Sequence, residues 1–165
     1  MPRPRLIPDA DIFAAILRLI AADGEKAVAF SAVARATGLA APSLVQRYGT
    51  LQDMLHATFM SEWDRLDALT DTALTEVDAA GKGPQALLKS LGSETSAALL
   101  AASQRDAALR ERAANWRNRV EAALEGKLRD PTSAAMLFAA WQGQLLWQSA
   151  GDKGFKLKDA LKRLA

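Results

Sequence analysis

Residues 31–55, SAVARATGLAAPSLVQRYGTLQDML, constrain this chain more than any other stretch, because they spell a helix, a glycine turn and a second short helix. Val33 and Ala34 give the first of these helices a small apolar face. Thr37-Gly38-Leu39 then breaks it: glycine accepts a positive φ that would strain other residues, and Leu39 returns the chain toward the core. Pro42 suits a first helical position, where its missing N–H would be unsatisfied in any case. Leu44 and Tyr48, four apart, share one helical face, which leaves Ser43, Gln46 and Arg47 pointing elsewhere. Two short helices joined in this way, the second carrying outward donors, form a helix-turn-helix that can enter a DNA major groove.

Composition narrows the remaining choices. A chain of 165 residues makes one or two compact domains with a real core. Half of it is apolar, yet no run approaches the length needed to span a bilayer, so no membrane partner is expected. Pro2, Arg3, Pro4 and Arg5 are not followed by an uninterrupted apolar segment, so no secretory signal is expected and a cytoplasmic location fits. With no cysteine there is no disulfide, no thiolate nucleophile and no Cys-based zinc site. Residues 1–60 carry six Lys/Arg against five Asp/Glu, so the case for DNA rests on the motif and not on charge. No phosphate-binding glycine loop, zinc motif or nucleophile elbow occurs, so neither an enzyme nor a cofactor is expected.

The rest of the chain reads as all-α. Ala and Leu dominate and β-branched residues are scattered. A first helix is expected from Asp11 to Ala22, with Ile12, Ile16, Leu19 and Ile20 inward and Asp9 and Asp11 at its positive end. A long helix begins near Leu51, lines up Leu55, Phe59, Trp63 and Leu66, and ends by Gly81-Lys82-Gly83. Pro84 opens a further element that Gly92-Ser93 interrupts, with Ser93 as a new cap. Helices are then expected from Asp106 to Leu124, stopping at Gly126; from Ser133 to Ala150; and, after Gly151 and Gly154, from Phe155 to Leu164.

In order and spacing, the amino-terminal third closely resembles that of TetR-family transcriptional repressors. The resemblance is carried by the helix from Ile12 to Asp23-Gly24, then Phe30-x-x-Val33-Ala34, the turn Thr37-Gly38-Leu39, the helix Pro42–Tyr48, and Asp53-Met54-Leu55. It implies an all-α chain with a DNA-binding head over residues 1–50 and a ligand-binding and dimerisation domain over residues 51–165. It also implies a homodimer whose two reading helices meet a palindromic double-stranded operator, with half-sites about one DNA turn or a multiple apart. A small effector that binds better when the heads are wrongly spaced would then release the DNA.

On this resemblance Ser31 and Arg35 lie on the DNA side of the second helix. Ala41, Pro42, Ser43 and Gln46 would meet bases, Gln46 being able to pair with adenine N6 and N7, although a plain solvated role for Gln46 fits as well. Several positions that hold phosphate in the family are altered. The hydroxyl cap of the second helix is Ala29 unless Ser31 substitutes, the Ser before the third helix is Ala40, its Tyr is Val45, and the Lys opening the fourth helix is Leu51. Arg47 would compensate, with a hydroxyl contact from Thr50. Arg3 and Arg5 read either as a minor-groove arm or as a disordered tail.

The segment Ala134–Trp147, AAMLFAAWQGQLLW, is apolar almost all round, with Gln142 and Gln144 its polar members. Such a helix needs cover on two sides. One reading gives the second side to another copy through Trp141, Leu145 and Trp147, with Leu157 and Leu161 of the last helix, and with Gly143 permitting close approach. The other makes it the centre of a monomeric bundle. Phe59, Trp63, Trp116, Met136 and Phe138 read either as core or as walls of an apolar effector cavity, with Gln142 as the polar anchor. His56 reads as a half-buried structural residue. Glu62, Asp64, Asp67 and Asp71 read as one solvated face, and Arg110, Glu111, Arg112, Arg117 and Arg119 as another, or as a site for an acidic effector. The expected function is a ligand-responsive homodimeric repressor; the alternative is a TetR-like dimer that has lost DNA binding and serves as a ligand- or protein-binding module.

Overall fold

Proline and paired acids start the first helix. The computed structural model describes residues 7–92, 96–151 and 156–164, and no strand occurs among them. Helix α1, Asp9–Asp23, begins after Pro8 with Asp9 and Asp11 in its first turn, where carboxylates oppose the positive helix end. Ile12, Ala15, Ile16 and Ile20 are buried along one stripe; Leu19, expected inward, is half-buried. Helix α2, Phe30–Thr37, stops at Gly38, whose φ of 76° and ψ of 9° are left-handed. The Gly38 N–H donates to Ala34 O at 2.8 Å, and Thr37 Oγ1 donates back to Val33 O at 2.8 Å, so the helix end is satisfied locally. Helix α3, Ala41–Tyr48, carries Pro42 in its first turn and buries Leu44 completely.

Helix α4, Leu51–Ala79, is started by a reciprocal cap. Thr50 Oγ1 accepts the Asp53 N–H at 3.0 Å, while Asp53 Oδ2 accepts the Thr50 N–H at 3.3 Å and its hydroxyl at 2.6 Å. Met54, Thr58, Phe59, Trp63, Leu66, Thr70, Ala73 and Val77 are buried along it, mostly at steps of three and four. The buried hydroxyls of Thr58 and Thr70 donate to Met54 O and Leu66 O, so neither needs water. The chain forms two compact units, Met1–Asp64 and Arg65–Ala165, so the division falls within α4 and the first unit includes that helix's opening turns.

The second unit continues with α5, Pro84–Leu91, and α6, Ala97–Arg105. Helix α6 stands where the element opened by Pro84 was expected to resume after its interruption at Gly92-Ser93. Ser96 caps it by accepting the Leu99 N–H at 3.1 Å, whereas Ser93, the expected cap, lies outside the described residues. Asp106 closes α6 and caps α7, Ala107–Leu128, accepting the Leu109 N–H at 3.0 Å. Gly126 does not stop α7 as expected. A mid-helix glycine costs only about 1 kcal/mol relative to alanine. Against it stand buried Trp116, Val120 and Leu124, and Lys127, whose ammonium reaches Asp78 at 2.6 Å and Lys82 O at 3.2 Å. The helix ends at Arg129 instead, in a left-handed conformation with φ 59°.

Asp130 and Pro131 start α8, Pro131–Trp147, two residues before the expected Ser133. Asp130 accepts the Ser133 N–H at 2.7 Å, and its carboxyl lies below the ordinary carboxylate range, first because of the Ser133 side chain and then its backbone N–H. A 3-10 turn over Gln148–Ala150 replaces the expected last turn of this helix. Helix α9, Leu157–Leu164, follows; the expected Gly154 and Phe155 boundary lies outside the described residues. Within this unit α7 packs on α6 and α8, and α8 packs on α9.

Candidate functional site

The first unit presents α3 as a surface helix on a single apolar anchor. Leu44 is buried and Tyr48 half-buried, while Pro42, Ser43, Val45, Gln46 and Arg47 are exposed. Ala41 is half-buried, and Ser31 and Arg35 on α2 are exposed. The structure therefore brings the expected base-reading groups Pro42, Ser43 and Gln46 to the surface of one short helix. Val45, at 45% exposure, places an apolar side chain among them. No side chain caps α2 at Ala29, so Ser31 does not substitute there, and no side chain caps α3 at Ala40.

The two residues assigned to the DNA backbone have partners of their own. The Thr50 hydroxyl belongs to the α4 cap. Arg47 Nε lies 2.9 Å from Asp9 Oδ1, and Arg47 donates a second bond to Ile7 O at 2.8 Å. Tyr48 gives its hydroxyl to the same Asp9 oxygen and sets its ring 6.0 Å from that of Phe13. Burial, and next the hydrogen bond to Asp9, push the Tyr48 phenol above its ordinary range. The sequence reading missed Asp9 in this role; its partners lie about forty residues away, and only the packing of α3 on α1 joins them. Arg3 and Arg5 lie outside the described residues.

In the second unit three rings form the centre. Trp116 lies 5.9 Å from Phe138 and 6.3 Å from Trp141, and Phe138 lies 5.8 Å from Trp141, near edge-on. The Trp116 indole N–H donates to Thr70 Oγ1 at 2.9 Å, which joins α7 to α4 inside the core. Arg117 stacks its guanidinium over the outer face of this group, 5.9 Å from the Phe138 ring centre. Gln142 has its Nε2 buried with no hydrogen-bond partner.

Comparison with solved structures finds the same overall fold elsewhere. SCO7518 from Streptomyces coelicolor A3(2), described as a candidate transcriptional regulator, superposes with a TM-score of 0.66 at 24% identity, over 94% of this chain and 95% of that one. EbrR, described as a multidrug binding protein and solved with imidazole, gives a TM-score of 0.69 at 23% identity, over 96% of this chain and 93% of that one. The fold is TetR-like. No family model matches the chain, and no curated protein matches it either.

Within the TetR-like fold the expected effector and interface residues redistribute. Trp116 and Phe138 do come together, but Met136 lies on the opposite face of α8 at 54% exposure. Phe59 and Trp63 are buried and belong to the first unit. Trp141, expected at a dimer seam, is only 5% exposed and packs in the ring cluster. Leu145, Leu157 and Leu161 are half-buried. Trp147 at 61% and Leu146 at 59% stand out from α8 beside Met136 and the exposed Ala139. A uniformly apolar helix gives no periodic signal to tell its two faces apart, so that Met136 points outward and Trp141 inward was not legible in it.

The charged faces also differ from expectation. Asp67 and Asp71 on α4 are not simply solvated: they pair with the basic side of α7. Arg112 reaches Asp67 at 2.7 Å, and Arg119 reaches Asp67 at 3.6 Å and also Asp71. Within α7, Arg117 pairs with Glu121 one turn further on at 2.7 Å. Arg110 donates to Gln104 O at 2.6 Å. His56 is half-buried, as expected. Among the described residues no cluster of metal-ligating side chains occurs, and no helix is long and apolar enough to cross a membrane.

Proposed function

We propose that this chain is a homodimeric transcriptional repressor that reads a palindromic operator with α3 and releases it on binding a small apolar effector. The observation that carries this reading is α3 itself: a short helix anchored by Leu44 behind a left-handed glycine turn, with Ser43 and Gln46 exposed on it. Dimerisation is supported by the stripe of Met136, Ala139, Leu146 and Trp147 along α8, an apolar surface that a monomer in water would leave wet. EbrR, of the same fold, is described as binding multiple drugs, and the aromatic interior around Trp116 with the unpartnered Gln142 donor suits an apolar ligand bearing one acceptor.

A selected-sequence binding assay tests the reading. Wild-type protein should enrich a palindrome at moderate salt, and Gln46→Ala should change preference at one base position in each half-site. Enrichment of no palindrome by the wild type or by a Leu51→Lys variant would refute it. Trp147→Glu should convert dimer to monomer in sedimentation, because a charge would be buried without a partner. A second reading, a module of this fold without operator binding, is favoured by Arg47 and Thr50 being engaged within the head and by Val45 occupying its surface. It predicts a dimer that binds ligand and enriches no DNA.

A further inference from the structure

Arg47 is the sole cation of α3, and it does not stand free. Its Nε and one terminal N–H are taken by the carboxylate of Asp9, the first residue of α1, and by the carbonyl of Ile7 just before that helix. An isolated exposed ion pair yields readily to a competing anion. This pair is reinforced: the Tyr48 hydroxyl binds the same carboxylate oxygen, and the Tyr48 ring lies against Phe13 one turn further along α1. The carboxylate thus takes up guanidinium donors that an outside anion would need, and the Arg47–Asp9 pair carries no net charge.

We infer that Asp9 sets the affinity of the head for DNA of any sequence, by withholding Arg47 from the phosphate backbone and leaving discrimination to the uncharged base-edge groups of α3. The inference rests on the DNA-binding reading above. Phosphate contacts strengthen binding to every sequence alike, whereas Ser43 and Gln46 gain only where bases match. Withholding a cation therefore lowers the absolute affinity for matched and unmatched sequences together and leaves their ratio to the base-edge groups.

Anisotropy titration of a random-sequence duplex tests this, since it needs no knowledge of the operator. Asp9→Asn keeps an acceptor for Tyr48 and removes the charge. It should tighten binding to the random duplex about fivefold at physiological salt and steepen the log–log salt slope by about 0.9, the signature of one added phosphate contact. In an Arg47→Ala background the same change should move affinity by less than about twofold, since only a through-space charge effect remains. Tyr48→Phe loosens the same carboxylate without altering charge and should tighten binding in the same direction by less; it serves if Asp9→Asn unfolds the head. Wild-type binding that Asp9→Asn leaves unchanged, or strengthens equally with and without Arg47, overturns the inference alone. Failure of both the wild type and Asp9→Asn to bind any duplex at low salt overturns the DNA reading and this inference with it.

Discussion

In the first unit several polar side chains close local turns, whereas in the second, beside its own local caps, several cross from helix to helix. Thr37, Thr50 and Asp53 each bond within four residues of themselves, and long-range polar contacts join Arg47 to Asp9 and Ile7 and Tyr48 to Asp9. In the second unit Thr70 meets Trp116, Asp67 meets Arg112 and Asp78 meets Lys127, all between α4 and α7. A short surface helix resting on Leu44 is placed by its turn and one clamp. A three-ring core sets the register of the longer helices, and ion pairs then fix which faces meet.

The largest effect should come from that core. Trp116→Ala removes a buried ring and its hydrogen bond to Thr70 and should cost about 3–5 kcal/mol, against about 2–4 kcal/mol for Leu44→Ala in the head. Denaturant unfolding followed by Trp fluorescence and by circular dichroism measures both. If the two changes shift one shared transition equally, the contrast between the units has no energetic content. Trp116→Phe keeps most of the ring and loses the N–H, so it should cost about 1 kcal/mol, because Thr70 still bonds Leu66 O.

Two glycines sharpen the comparison at smaller scale. Gly38→Ala places a side chain at φ 76° and should destabilise the head by about 1 kcal/mol, although nothing lies within 4 Å of the added carbon. Gly126→Ala, inside α7 and equally unobstructed, should instead stabilise by about 0.8 kcal/mol. Equal signs in the melting temperatures would show that backbone conformation is not what distinguishes these sites.

The smallest expected effects are electrostatic. Asp78→Asn should cost no more than about 0.5 kcal/mol, since its carboxylate is largely exposed, and the loss should vanish in high salt. Asp130 has its carboxyl held below the ordinary range when folded, so its contribution is present above the unfolded pKa and fades as pH falls through the folded value. Melting temperature against pH should show that acid loss in the wild type, and Asp130→Asn should remove it.

Legibility followed the range of the interactions. The head could be read almost residue by residue because its signals are local: Gly38 needs a positive φ, Pro42 fits a first turn, and Leu44 and Tyr48 are four apart. The second unit was legible as helices but not as faces. Gly126 looked like a stop, since nothing local shows that Val120, Leu124 and Lys127 would carry the helix past it. The acidic side of α4 and the basic side of α7 each look like a solvated stripe until the two helices pack.

By itself, the sequence determined an all-α chain, the helix-turn-helix and its glycine turn, and the outward placement of Ser43 and Gln46. Propensity, capping and backbone conformation act over a few residues, so one strand of text contains them. Tertiary structure alone decided that Trp141 faces inward and Met136 outward on a helix with no polar side, and that Arg47 answers to Asp9. Those outcomes depend on which side chains meet across helices far apart in sequence, and no local pattern records that.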